Sequence, residues 1–124
     1  MITLRPPAVA GSFYPDDPRE LTELIDTMLA RVAVPKAAST DTAPPVAMIV
    51  PHAGYVYSGP VAASAYARLL PWRAAITRVV VIGPAHRVPV RGLALSSAAA
   101  FVTPLGQIPI DHLANGLLAR RAGV

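Results

Sequence analysis

Two histidines in similar surroundings are the residues of this chain best suited to chemistry. Pro51-His52-Ala53-Gly54-Tyr55 follows the apolar run Val46-Ala47-Met48-Ile49-Val50, and Gly83-Pro84-Ala85-His86-Arg87 follows Arg78-Val79-Val80-Val81-Ile82. The imidazoles are 34 residues apart, a natural length for one strand-helix-strand unit. A neutral imidazole suits iron, copper, zinc or nickel, and two histidines with one carboxylate form the usual non-haem Fe(II) set. His52 and His86 are therefore candidate metal ligands, with Tyr55, Tyr57 and Arg87 as candidate pocket residues. No clear motif supplies a third ligand. Taken singly, each histidine reads better as a hydrogen-bonded loop residue; a shared sheet edge is what brings the metal reading level with it.

Other chemistries lack support. Ser58, Ser96 and Ser97 sit in no Gly-x-Ser-x-Gly elbow, which disfavours a serine hydrolase. Neither the Gly-x-Gly-x-x-Gly fingerprint nor the P-loop signature is present. With no cysteine, the chain has no disulfide, thiolate zinc site or cysteine nucleophile. His112 is expected in the exposed first turn of a surface helix.

The elements that must position these residues are punctuated clearly. Asp17-Pro18-Arg19-Glu20 places an acceptor at the N-cap, proline at the first helical position and glutamate at the third. Leu21, Leu24, Ile25, Met28, Leu29 and Val32 then recur at spacings of three and four, predicting a one-faced helix over about 18–32. Residues 33–45 lose periodicity and end in two prolines, as a loop does. Residues 46–50 are a continuous apolar run that reads as a strand of a parallel sheet covered on both faces, 78–82 are a second, β-branched strand candidate, and 92–96 a weaker third. Between them, a helix is expected from Gly59 or Pro60 to Leu70, with Pro71 beyond its end. Gly54 and Gly59 read as turn residues, and Gly83-Pro84 as a strand end. Residues 101–110 are extended and proline-broken, and Asp111 caps a last helix through about Arg121. A right-handed crossover between parallel strands would set the two histidine loops side by side at the carboxyl edge. The fold class expected is α/β, a mostly parallel sheet with flanking helices.

Composition agrees. The 124 residues are 53% hydrophobic and 15% charged, too apolar for disorder and too short for two ordinary domains. No stretch has the make-up of a signal peptide or membrane span, and the absence of cysteine fits a reducing compartment, so the cytoplasm is the expected location. The net charge of +4 is uneven: residues 1–41 carry four basic and six acidic residues, and residues 42–124 seven arginines against Asp111. Those arginines form no run and interleave with no aromatics, which ranks nucleic-acid binding last.

At this point a resemblance is plain. Arg5-Pro6-Pro7-Ala8-Val9-Ala10-Gly11-Ser12-Phe13-Tyr14-Pro15, the stretch from Val50 to Gly59, Ile82-Gly83-Pro84-Ala85-His86, and Leu95-Ser96-Ser97 with Thr103-Pro104-Leu105-Gly106 and Ile110-Asp111 resemble the Memo family, called AmmeMemoRadiSam system protein B in bacteria. The resemblance implies a fold similar to class III extradiol dioxygenases, with His52 as one ligand of a non-haem metal, Fe(II) or copper. Many relatives carry two successive histidines after the Gly-Pro-x stretch; here His86 is followed by Arg87, and a guanidinium cannot coordinate. Members are more than twice as long, so residues 1–124 are expected to be the N-terminal portion of one Memo-like domain, incomplete in sheet and ligands and unable to hold a metal tightly alone. The competing expectation is a non-catalytic module that binds a peptide or partner protein on the same scaffold; the partner expected overall is a small molecule or peptide. The resemblance also implies association with radical SAM and AMMECR-like proteins.

Overall fold

The computed structural model describes residues 3–32 and 43–121. The chain divides into two compact units, Val9–Val79 and Met1–Ala8 with Val80–Val124.

In the first unit, the Asp17 side chain accepts from the amides of Arg19 and Glu20 at 2.8 and 3.0 Å and opens α1, Pro18–Ala30. Those amides have no carbonyl one turn back, and the carboxylate stands in for it. The predicted apolar stripe faces inward: Leu21 is buried, Leu24, Ile25, Met28 and Leu29 are half-buried, and Thr22, Glu23 and Asp26 are exposed. Residues 33–42 of the expected loop lie outside the described residues.

The second helix, α2, is Tyr55–Tyr66, so it begins four residues before the expected Gly59 and has Pro60 inside it. It packs against α1. Gly59 is buried, and a Cβ built there would lie 2.6 Å from Met28 Sδ, so its role is close helix packing rather than the expected turn. The chain tightens into a 3-10 helix at Ala67–Trp72, which includes Pro71.

The expected strands at 46–50 and 78–82 are not strands. Val46 and Ile49 are fully exposed, and Val79, Val80, Val81 and Ile82 are 73–86% exposed. A strand exists through its ladder, and among the described residues no other segment pairs with either run.

The second unit holds a three-stranded sheet in the order β1 (Leu4–Arg5), β2 (Ala100–Thr103), β3 (Gly106–Pro109). The first pairing is parallel and the second antiparallel, so the protein is α/β with a small mixed sheet. The candidate strand at 92–96 is not one; the ladder starts at Ala100, where small buried residues, Ala98 and Ala100, let backbones approach. The extended reading of 101–110 resolves into a hairpin whose turn is held by Thr103: its hydroxyl donates to the Gly106 carbonyl at 3.0 Å and accepts from the Leu105 amide at 3.2 Å. Gly106 closes the turn at φ +131°, where a side chain would be strained. The Arg5 guanidinium lies 5.1 Å from the centre of the Phe101 ring, bridging β1 and β2. Asp111 accepts from the Ala114 amide at 2.9 Å and opens α3, His112–Ala119, as its sequence position predicts. No helix among the described residues is long and apolar enough to cross a membrane.

Candidate functional site

His52 is exposed and lies two residues before Gly54, the N-cap of α2. The backbone that follows it is pinned from several directions. The buried Ser58 hydroxyl donates to the Ala53 carbonyl at 2.8 Å, and the Gly54 carbonyl accepts from the Tyr57 and Ser58 amides at 2.9 and 3.1 Å. The Tyr55 amide, one of the donors a helix start leaves orphaned, donates to the Phe13 carbonyl at 2.8 Å. These bonds fix the backbone from Ala53 onward, immediately after the imidazole.

Tyr55 begins α2 half-buried, its ring 5.5 Å from that of Tyr14 and tilted 45° to it. Burial raises the phenol above the ordinary tyrosine value of 10.0, and the neighbouring phenols of Tyr14 and Tyr66 push the same way. At neutral pH Tyr55 is therefore a protonated donor. Tyr57, two residues on, is 84% exposed. A shallow groove in the same unit is lined by Pro44, Pro45, Val46, Met48, Ile49 and Arg68, and neither tyrosine lines it.

In the other unit, His86 and Arg87 are exposed in a bend that follows residues outside any helix or strand. Imidazole donors suit a first-row transition ion, and Arg87, always protonated, cannot serve as one. Among the described residues no group of three histidine, aspartate or glutamate side chains is placed to hold a metal, so the donor set is incomplete there. The premise that both histidines end parallel strands does not hold, because the runs before them are not strands.

Sequence reasoning set Ser58 aside for want of a nucleophile motif, yet its hydroxyl is what ties down the residue after His52. Its position four residues into a helix was the signal, hidden by placing the helix start too late. Phe13 and Tyr14 were read only as part of a family motif.

A family model described as Memo-like protein matches residues 5–123. The chain belongs to the Memo family. A MEMO1 family protein of Ignicoccus hospitalis is 40% identical over 125 residues, an alignment covering 98% of this chain and 44% of the relative. Another, from Methanopyrus kandleri, is 37% identical over 123 residues, covering 97% of this chain and 43% of the relative. A third, from Aquifex aeolicus, is 39% identical over 109 residues, covering 87% and 37%. The chain thus spans less than half the length of these curated relatives. Both histidine stretches and the Phe13-Tyr14 turn lie within the span that matches the Memo model.

Proposed function

We propose that this Memo-family chain contributes His52 and His86 as imidazole ligands of a non-haem metal site, with Fe(II) or copper as the metal, in an oxygen-dependent or redox reaction related to that of class III extradiol dioxygenases. The observation that carries this reading is the His52 stretch, where an exposed imidazole precedes a backbone pinned by Ser58, Gly54 and Phe13. Such an ion would supply Lewis-acid or one-electron chemistry. Around it Tyr55, protonated at neutral pH, is a hydrogen-bond donor to a substrate, and Arg87 a cation for an anionic one. Association with radical SAM and AMMECR-like proteins belongs to the same proposal and rests on the family resemblance, while a cytoplasmic location rests on composition, chiefly the lack of cysteine; co-purification of the three proteins tests the association.

The test is metal content by mass spectrometry of the protein at the full length of its relatives, purified without oxygen, beside His52→Ala and His86→Ala. The expected outcome is about one iron or copper per chain, lost with either substitution. A second reading, a module that binds a peptide or protein without catalysis, is favoured by the exposure of Tyr57 and by Arg87 standing where, by the family resemblance, many relatives carry a second histidine. A wild-type protein that cannot be loaded with metal would put that reading first.

A further inference from the structure

The start of α2 is set against its own sequence. Its first residues, Tyr55, Val56, Tyr57 and Ser58, are mediocre helix formers, and its N-cap, Gly54, has no side chain with which to cap. The first amides of the helix therefore take partners other than a cap side chain, and one of these is in the turn at residues 9–14. That turn is braced internally: the Val9 carbonyl accepts from the Ser12 and Phe13 amides at 3.2 and 2.9 Å and from the Ser12 hydroxyl at 3.0 Å. The Gly11 amide donates to the Tyr14 carbonyl at 2.8 Å, with Gly11 at φ +75°, where glycine is favoured.

It meets the helix start at three points. The Phe13 carbonyl accepts from the Tyr55 amide, and the Tyr14 ring packs on the Tyr55 ring. At the third, Gly54 lies on the Phe13 backbone so closely that a Cβ would sit 3.5 Å from Phe13 Cα and carbonyl oxygen. We infer that the turn at residues 9–14 is the positioning element of the His52 site, with Tyr14 as its positioning residue, because it fixes where α2 begins and so where His52 stands relative to Tyr55. This rests on the metal reading of His52 for its functional meaning but not for its geometry.

Zn(II) titration and the imidazole NMR signal of His52, followed in Tyr14→Ala and Tyr14→Phe, test the inference, with circular dichroism reporting helix content. Tyr14→Phe keeps the ring and is expected to leave Zn(II) affinity within about twofold of wild type. Tyr14→Ala is expected to weaken it by about tenfold or more, as loss of a ligand's supporting partner does, and to move the His52 signal at unchanged helix content. Wild-type affinity and an unmoved His52 signal in Tyr14→Ala would overturn the proposal. Should wild type bind no Zn(II), the metal reading fails separately, and the His52 and Tyr55 ring signals decide positioning: movement in Tyr14→Ala supports it and constancy overturns it. If Tyr14→Ala loses helix, Tyr14→Leu replaces it. Loss of helix in both variants also overturns the proposal, because Tyr14 would then hold the fold and not the site.

Discussion

The two histidine stretches differ in how they are held. The residues after His52 run into α2 and are fixed by hydrogen bonds from Ser58, from the helix's own first turn and to Phe13. The residues before His86 form the longest apolar β-branched run of the chain, yet they lie exposed and outside any ladder among the described residues. Helices satisfy their backbone groups locally, so a cap, a period and one packing face suffice to form them. A strand satisfies its groups only on a neighbour, however strong its β-propensity. The backbone after His52 is thus held by partners within its own unit, Ser58 and Phe13 among them, whereas the run before His86 has no strand pairing among the described residues.

The comparison is broken most directly by matched truncations. Leu21 is 3% exposed on the α1 face, and Leu21→Ala is expected to cost about 2–4 kcal/mol through lost burial and the cavity left behind. Val81→Ala, in the exposed run, is expected to stay within about 0.5 kcal/mol. Urea denaturation of both variants checks this, and equal losses would show that the run at 78–82 is as much core as α1.

A smaller effect sharpens the account of the α1 and α2 contact. Gly59→Val forces Met28 away and is expected to cost about 2 kcal/mol. Adding Met28→Ala should return part of that loss, giving a non-zero coupling in a double-mutant cycle. The smallest effect is expected at high pH. Folding raises the Tyr55 phenol above its unfolded value of 10.0, so its stabilising contribution is complete below pH 10 and is lost as pH rises through the folded value. Thermal melts between pH 9 and 11 should therefore show a steeper loss for wild type than for Tyr55→Phe.

What the sequence made legible follows the same division. Asp17-Pro18 with Glu20, and Asp111, marked two helix starts to the residue because a carboxylate at an N-cap acts on amides two or three positions away. The start of α2 escaped because Tyr55, Val56 and Tyr57 look like strand residues and because the Phe13 carbonyl that receives the Tyr55 amide is remote in sequence. The hairpin was masked by Pro104 and Pro109, which suggested a broken extended segment, although Pro104-Leu105 before Gly106 is a two-residue turn between matched strands. The two-residue β1 offered no pattern at all, its identity depending on the distant Ala100 and Phe101. At the candidate site, the histidines could be picked out by residue type and spacing, while the groups that hold the backbone after His52 could not: Phe13 and Gly54 act through carbonyls that every residue possesses, and the Ser58 hydroxyl gains its role only once the helix start is known.

The exposed run at 79–82 has a further consequence for the behaviour of the protein in bulk. Four successive β-branched residues without charge or proline share the composition of segments that stack into cross-β fibrils but fall short of their usual length of about six or seven residues. Arg78 borders the run on one side and Gly83-Pro84 on the other, in the places where gatekeeper residues interrupt such stacking. These flanking residues therefore bear on solubility at high concentration as well as on where the apolar run ends.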